Sequence, residues 1–202
     1  MGGVKSSHFF MEFISFEEII GVYNGDPTII DSTIESIYKF KALDPESDGQ
    51  SNVNGWQKEL MNNASFNPLR EVILNNFGDY LKRHEIIEPL DYEITKFFCN
   101  VNPPGASNTM HYHQVGEFSG AFWLKAEKDS GNLFIMNPYP NSFINTLTKT
   151  SKRMGFANQV IEPQPNLGVF FNSNLVHFVD VNRSSSDRIS VAFHIRLHNY
   201  GY

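Results

Sequence analysis

Apolar positions recur at helical spacing in the first ninety residues and at a spacing of two beyond them. Ser15-Phe16-Glu17-Glu18 fits a capping box and predicts a short helix that ends near Gly25. Asp26-Pro27 marks a second start, with proline at the first helical position, and Ile30, Ile34, Ile37 and Tyr38 then share one face. Asn67-Pro68 opens a third helix, whose stripe is Leu69, Val72, Ile73, Phe77, Tyr80 and Leu81. Residues 41–66 between them are polar and rich in Gly, Asn and Ser. They read as a long loop of the kind used as a lid or binding segment, with only WQKELM as a short helix. From Asp91 the pattern predicts strands at Asp91–Asn102, Asn108–Gln114, Phe118–Glu127, Gly131–Met136, Gln159–Glu162, Gly168–Asn172, Leu175–Val181 and Arg188–Leu197. Clusters of Pro, Gly, Asn and Ser separate them, and Asn137–Asn158 is a second long insertion, expected to be partly helical. Helices do not alternate with these strands, which disfavours a doubly wound sheet. The expected fold is mainly β with N-terminal helices, a jelly roll. One domain of 1–202 is expected, with 1–90 as a helical support region and 91–202 as the β core.

Composition narrows the function classes. Hydrophobic residues make up 41% and charged residues 19% of the 202 positions, so the chain can bury a core. Eighteen Phe and eight Tyr tilt it further toward strands. The net charge of −6 argues against a protein that coats nucleic acid or an anionic membrane. No apolar run reaches the roughly 20 residues of a spanning helix. No secretory signal is visible at the start. With Cys99 as its single cysteine, the chain has no intramolecular disulfide, and a cytoplasmic setting is the expectation.

The candidate chemistry lies in histidines and one arginine. His111 and His113 stand at i and i+2 of a predicted strand, so both imidazoles project from one face. His177 lies in a later strand that a jelly roll can bring alongside, and three imidazoles suit iron, copper, nickel or zinc. Alone, an HxH is more often a pair of locally bonded histidines. Eleven residues after His177 begins a strand with Arg188, Ser190, Ala192, His194 and Arg196 on one face and Ile189, Val191, Phe193, Ile195 and Leu197 on the other. The apolar face is expected to pack on the helices. Arg188 then points inward, where it requires an anion, and a bidentate carboxylate is the natural partner. An internal ion pair is the competing explanation. Solvation at a strand end is the expected role of His194 and Arg196, and Cys99 is expected to be a buried small hydrophobe.

His-x-His, a distal His and Arg-x-Ser, in that order and all in short strands, resemble the iron(II)/2-oxoglutarate-dependent oxygenases. GWQKEL, FFCNVNPPGASNTMHYHQVGEFSGAFWL, SGNLFIMNP, EPQPNLGVFFNSNLVHFV and DRISVAFHI are similar to successive blocks of one such family, found in marine bacteria and their phages and related to the prolyl 4-hydroxylases. The likeness runs from about Gly55 to Leu197 and leaves the first 50 residues unmatched. It implies a double-stranded β-helix, cupin-like, with iron(II) as metal and 2-oxoglutarate as small-molecule cosubstrate. It implies metal ligation by His111 and His177, with His113 where the wider superfamily has Asp or Glu. Arg188 and Ser190 match the pair that grips the distal carboxylate of 2-oxoglutarate. Trp123 stands where the family has a tyrosine, and its indole N–H can donate to the same carboxylate; Ser119 shares its strand parity. No catalytic side chain beyond the metal ligands is implied.

The expected reaction is hydroxylation of a C–H bond with release of succinate and carbon dioxide. Two alternatives stand beside it: a three-histidine, cupin-type dioxygenase that does not use 2-oxoglutarate, and a non-enzymatic jelly-roll module. Arg188-Ile189-Ser190 is the feature that separates the first alternative. The primary substrate is a protein or peptide prolyl residue by analogy with the relatives, or a small metabolite.

Overall fold

The computed structural model of the protein describes residues 20–84, 91–114, 116–138 and 158–198. Two helices and eleven strands are described. In order they are β1 (Gly21–Asn24), α1 (Ile30–Leu43), β2 (Asn52–Val53), β3 (Trp56–Glu59), α2 (Asn67–Arg83), β4 (Asp91–Asn102), β5 (Ser107–His111), β6 (Phe118–Lys125), β7 (Leu133–Met136), β8 (Asn158–Ile161), β9 (Leu167–Asn172), β10 (His177–Val179) and β11 (Arg188–His198). The strands form two antiparallel sheets, a six-stranded one ordered β1-β9-β6-β11-β4-β3 and a five-stranded one ordered β2-β5-β10-β7-β8. This is the layered arrangement of a double-stranded β-helix, with the two helices packed on the larger sheet.

The helices begin where the sequence signals them. The Asp26 carboxylate accepts from the Thr28 amide at 2.9 Å, and Pro27 opens a 3₁₀ turn that runs into α1. Asn63 accepts from the Ser65 amide in the same way ahead of α2. Leu69, Ile73, Phe77, Tyr80 and Leu81 of α2 are buried, one stripe at helical spacing. The Phe77 ring meets Tyr80, Tyr92, Phe118 and Phe170 at 5.1–5.7 Å, which ties α2 to β4, β6 and β9. Ile189, Val191, Phe193 and Ile195 of β11, with Phe97, Cys99 and Val101 of β4, face this helical layer. Each such side chain contributes about 1.5–3 kcal/mol on burial. A smaller apolar cluster between the sheets holds Trp123, Leu133, Ile135, Val169, Phe171 and Leu175.

The front of the chain departs from the sequence pattern in three places. Residues 21–24, expected to close a helix, form strand β1 paired with β9; Ser15–Glu18 lie outside the described residues. WQKELM is not helical. Trp56–Glu59 are strand β3, added to the edge of the large sheet against β4. Residues 41–66 are therefore not one long loop, and Trp56 is 3% exposed with its ring edge-on to Phe40 at 5.9 Å and its indole N–H donating to the Asp44 carbonyl at 3.0 Å. Four residues carry too short a pattern to announce a strand, and the hydrogen bonds that make it one come from β4. Residues 139–157 of the second insertion lie outside the described residues.

Candidate metal centre

Antiparallel pairing of β10 with β5 sets His177 opposite His111, which closes a separation of 66 positions in sequence. Their rings stand 4.3 Å apart. Each has its Nδ1 on the carbonyl two residues earlier, His111 on Thr109 at 2.7 Å and His177 on Leu175 at 2.8 Å. A Nδ1–H donated to a carbonyl fixes the tautomer and leaves Nε2 as a free ligand atom. His113 lies just past the end of β5, where its amide donates to the Ser173 carbonyl at 2.9 Å. That bond, and not strand parity, turns its ring back to within 4.9 Å of His111 and 5.0 Å of His177. One nitrogen from each of the three histidines lies within 4.8 Å of the others.

Among the described residues no carboxylate joins this cluster. Glu117 accepts from the Leu197 amide at 2.8 Å, and Asp180 pairs with Arg183 at 2.8 Å. Burial holds every imidazole in the group below its ordinary value. His177 is held down to about 4, His113 to about 2 with its imidazole neighbours adding to the effect, and His111 is lowered in the same direction. All three are neutral at pH 7, the state in which imidazole binds a metal. The donor set fits a divalent transition metal.

Arg188 is 1% exposed at the start of β11. Its Nη1 donates to the carbonyls of Ser130 at 2.6 Å, Gly131 at 3.2 Å and Asp180 at 3.4 Å, its Nη2 reaches Asn108 Oδ1 at 3.4 Å, and its Nε has no partner. Gly131 has φ +97°, and a Cβ there would collide with the Asp180 carbonyl oxygen and with Nη1, so only glycine leaves this cradle open. No Asp or Glu side chain among the described residues is ion-paired with Arg188. Burial pushes the guanidinium down to about 10, so it remains charged at neutral pH. A buried cation whose hydrogen bonds all go to neutral groups, with the Asp180 carboxylate acting on it only from a distance, is incompletely compensated, and an anion on the Nε–Nη2 edge would complete it.

The arginine and the histidines line one cavity of about 420 Å³ between the sheets. Its floor is a grid of cross-strand rows on the large sheet. One row is Gln57, Asn100, Ser190 and Trp123; the next is Phe98, Ala192 and Ala121; a third is His194 and Ser119. Ser190 and Trp123 thus lie in the row next to Arg188. Ser119 lies two rows further on, beside His194, with its hydroxyl bonded to Ser173 at 2.8 Å. Gln50 and Tyr112 line the same cavity, with Gln57, Asn100 and Phe98 of the floor. Among the described residues that line the cavity, Arg188 is the one side chain with a fixed charge.

His194 corrects an expectation. It is 9% exposed, not solvated at a strand end, and its ring is 4.1 Å from His113. Burial first, then Lys96, hold it down to about 4. Its parity with Arg188 was visible in the sequence; a shift in register directly after it sends Arg196 to the surface. Gln50, Gln57 and Asn108 gave no signal, since the first two come from a segment that reads as loop and the third is one of many turn asparagines.

Residues 96–194 match the model of a family described as "Putative 2OG-Fe(II) oxygenase". No curated protein matches the chain in sequence. The structure is similar to a prolyl-4-hydroxylase of Pseudomonas putida, with a TM-score of 0.62 at 11% identity over 89% of this chain and 93% of that one. It is similar to a viral collagen prolyl hydroxylase of Paramecium Bursaria Chlorella virus-1 in its 2OG complex, with a TM-score of 0.55 at 16% identity over 87% and 94%. It is also similar to HygX of Streptomyces hygroscopicus with nickel and 2-oxoglutarate bound, with a TM-score of 0.59 at 11% identity over 89% and 83%. At these identities the likeness is one of fold.

Proposed function

We propose, from the match of residues 96–194 to the 2OG-Fe(II) oxygenase family, that this chain is an iron(II)- and 2-oxoglutarate-dependent dioxygenase that hydroxylates a C–H bond. The observation that carries the proposal is the pairing, in one cavity, of three converging neutral imidazoles with a buried arginine that has no acidic partner among the described residues. His111, His113 and His177 hold the iron in this reading. Three neutral ligands leave its full charge to be balanced by a dianionic cosubstrate. Arg188 holds the distal carboxylate, with Ser190 and the indole N–H of Trp123 in the neighbouring row as further donors. Ser119, at the histidine end, lines the cosubstrate pocket rather than meeting that carboxylate.

When bound, iron and 2-oxoglutarate supply the oxidising chemistry, in which one oxygen atom of O₂ enters the C–H bond and the other enters succinate as carbon dioxide leaves. The chain's own part is placement and exclusion of water. Thr109 and Leu175 carbonyls orient two ligands, and the Ser130–Gly131 cradle aims the guanidinium. Trp123, Phe171, Leu133 and Val179 surround the space between with apolar surface. The primary substrate meets Gln50, Gln57, Asn100, Phe98 and Tyr112 of the cavity lining, whose neutral, hydrogen-bonding character suits a peptidyl residue or an uncharged small metabolite. A cytoplasmic setting accords with the single buried thiol of Cys99 and with the absence, among the described residues, of a helix long and apolar enough to cross a membrane. A three-histidine dioxygenase without 2-oxoglutarate has no use for Arg188 in this place.

Anaerobic titration tests the reading. Iron(II) and 2-oxoglutarate together give a metal-to-ligand charge-transfer band that neither gives alone, and His177→Ala abolishes it. Wild-type protein that binds iron but shows no band and no heat with 2-oxoglutarate overturns the choice of cosubstrate.

A further inference from the structure

His111 and His177 each have a fixed acceptor for the ring nitrogen that does not face the cluster, namely the carbonyl two residues earlier. His113 has no such partner among the described residues. Its backbone amide is tied to Ser173, but its ring is positioned by packing alone. The shortest ring contact it makes is with His194, at 4.1 Å and an angle of 51°. His194 is buried in β11, and its Nδ1 is an orphan, buried without any hydrogen-bond partner. Two unfulfilled needs thus lie side by side: a ligand imidazole without an outer acceptor, and a buried ring nitrogen without a donor.

Neutral imidazole has one donor and one acceptor nitrogen. Histidines that bind metals donate their other N–H to a carboxylate, a carbonyl or water, which holds the ring plane and raises the basicity of the ligating atom. We propose that His194 is the positioning residue of the metal centre, its Nδ1 accepting the outer N–H of His113 when the metal is bound. The inference rests on the three-histidine reading above. It assigns to an imidazole from the large sheet the task that backbone carbonyls perform for the two ligands on the smaller sheet. It also links the two sheets through the metal, since His113 follows β5 and His194 lies on β11. His194 is not among the histidines whose nitrogens converge within 4.8 Å of one another, so it acts through His113 and not as a fourth ligand.

The test uses cobalt(II), whose d–d spectrum reports ligand geometry without turnover, together with two variants. His194→Leu keeps the bulk and removes the acceptor; His194→Gln restores an acceptor oxygen. Loss of such an outer partner costs about 10- to 100-fold in metal affinity. His194→Leu is expected to bind cobalt(II) in that range more weakly, with an altered spectrum, while apoprotein stability is kept or raised because a buried orphan is gone. His194→Gln is expected to recover most of the affinity and the wild-type spectrum. In zinc-loaded wild type, a slowly exchanging His113 ring N–H should appear by NMR and vanish in His194→Leu. Equal affinity and spectra for wild type and His194→Leu overturn the inference, and so does a His194→Gln variant as weak as the leucine one. His111→Ala is the control: cobalt(II) affinity unchanged there refutes the three-histidine reading itself, whereas a large loss there with a silent His194→Leu refutes only the role of His194.

Discussion

Arg188 is the residue whose environment separates a ligand site from an ordinary internal ion pair. Its guanidinium is buried, spends Nη1 on the carbonyls of Ser130, Gly131 and Asp180 and leaves Nε without a partner. Arg188→Lys keeps a charge but loses the planar fork. Loss of one charge-assisted hydrogen bond costs about 1.5–3 kcal/mol, or roughly ten- to hundredfold in 2-oxoglutarate affinity. Calorimetric titration of the manganese-loaded proteins is the measurement, with metal affinity expected to be unchanged. Arg188→Ala should lose more affinity and also some stability. It strands the Ser130 and Gly131 carbonyls, and an unsatisfied buried polar group costs about 1–3 kcal/mol. A destabilised alanine variant that still binds 2-oxoglutarate normally would make Arg188 a structural residue.

Strand β3 and the segment 44–51 beside it act together as an element. The segment folds back on the strand: Asp48 donates its amide to the Gln57 carbonyl at 2.9 Å, Gln57 Oε1 accepts from the Gln50 amide at 3.2 Å, and Lys58 pairs with Asp44 and Asp48. Trp56 pins the unit to α1 through Phe40 and the Asp44 carbonyl. Trp56→Ala removes a large buried ring and should cost about 3–5 kcal/mol in thermal or urea unfolding. Because Gln50 and Gln57 line the cavity, the same variant should also raise proteolytic cleavage within 44–51. Unchanged cleavage with lowered stability would show that the segment is held without Trp56. Phe77→Ala in α2, at the centre of an aromatic cluster, should cost a similar 3–5 kcal/mol and leave the cavity lining unaltered.

At the scale of the whole molecule, four imidazoles lie together between the sheets, His177 and His194 buried and His111 and His113 half-buried, and each titrates below its ordinary value near 6.5. In the unfolded chain they take up protons at that ordinary value, whereas the native state resists until about pH 4 for His177 and His194. Between those limits the unfolded state binds more protons, so stability is full above about pH 6.5 and falls as the pH is lowered. The Tm of the apoprotein should therefore decline from pH 7.5 to pH 5, and His194→Leu should flatten the decline. A divalent metal binds the neutral imidazoles of the native state, so saturating cobalt(II) at pH 7 should raise Tm, with a benefit that shrinks on acidification. A Tm independent of pH across this range would contradict the burial of neutral histidines.

Within a segment, the sequence determined what kind of structure forms and which way its side chains face. Asp91–Asn102 and Arg188–His198 are strands because their apolar residues alternate, and the same alternation put Arg188, Ser190 and His194 on one face against the apolar face that the helices cover. The stripe of α2 and its Asn67-Pro68 start were equally local. Only the tertiary structure decided what those faces meet. Gly21–Asn24 and Trp56–Glu59 are strands because β9 and β4 offer them a row of unpaired amides and carbonyls, not because four residues carry a period. His111 and His177 come together by register between β5 and β10, and His113 joins them through the Ser173 carbonyl, bonds that no local pattern encodes. Whether Arg188 would find an acid inside the protein was likewise a question of packing. The physical reason is common to all of these: periodicity is a property of neighbours along the chain, whereas cross-strand hydrogen bonds and the solvation of a buried charge depend on residues tens of positions away.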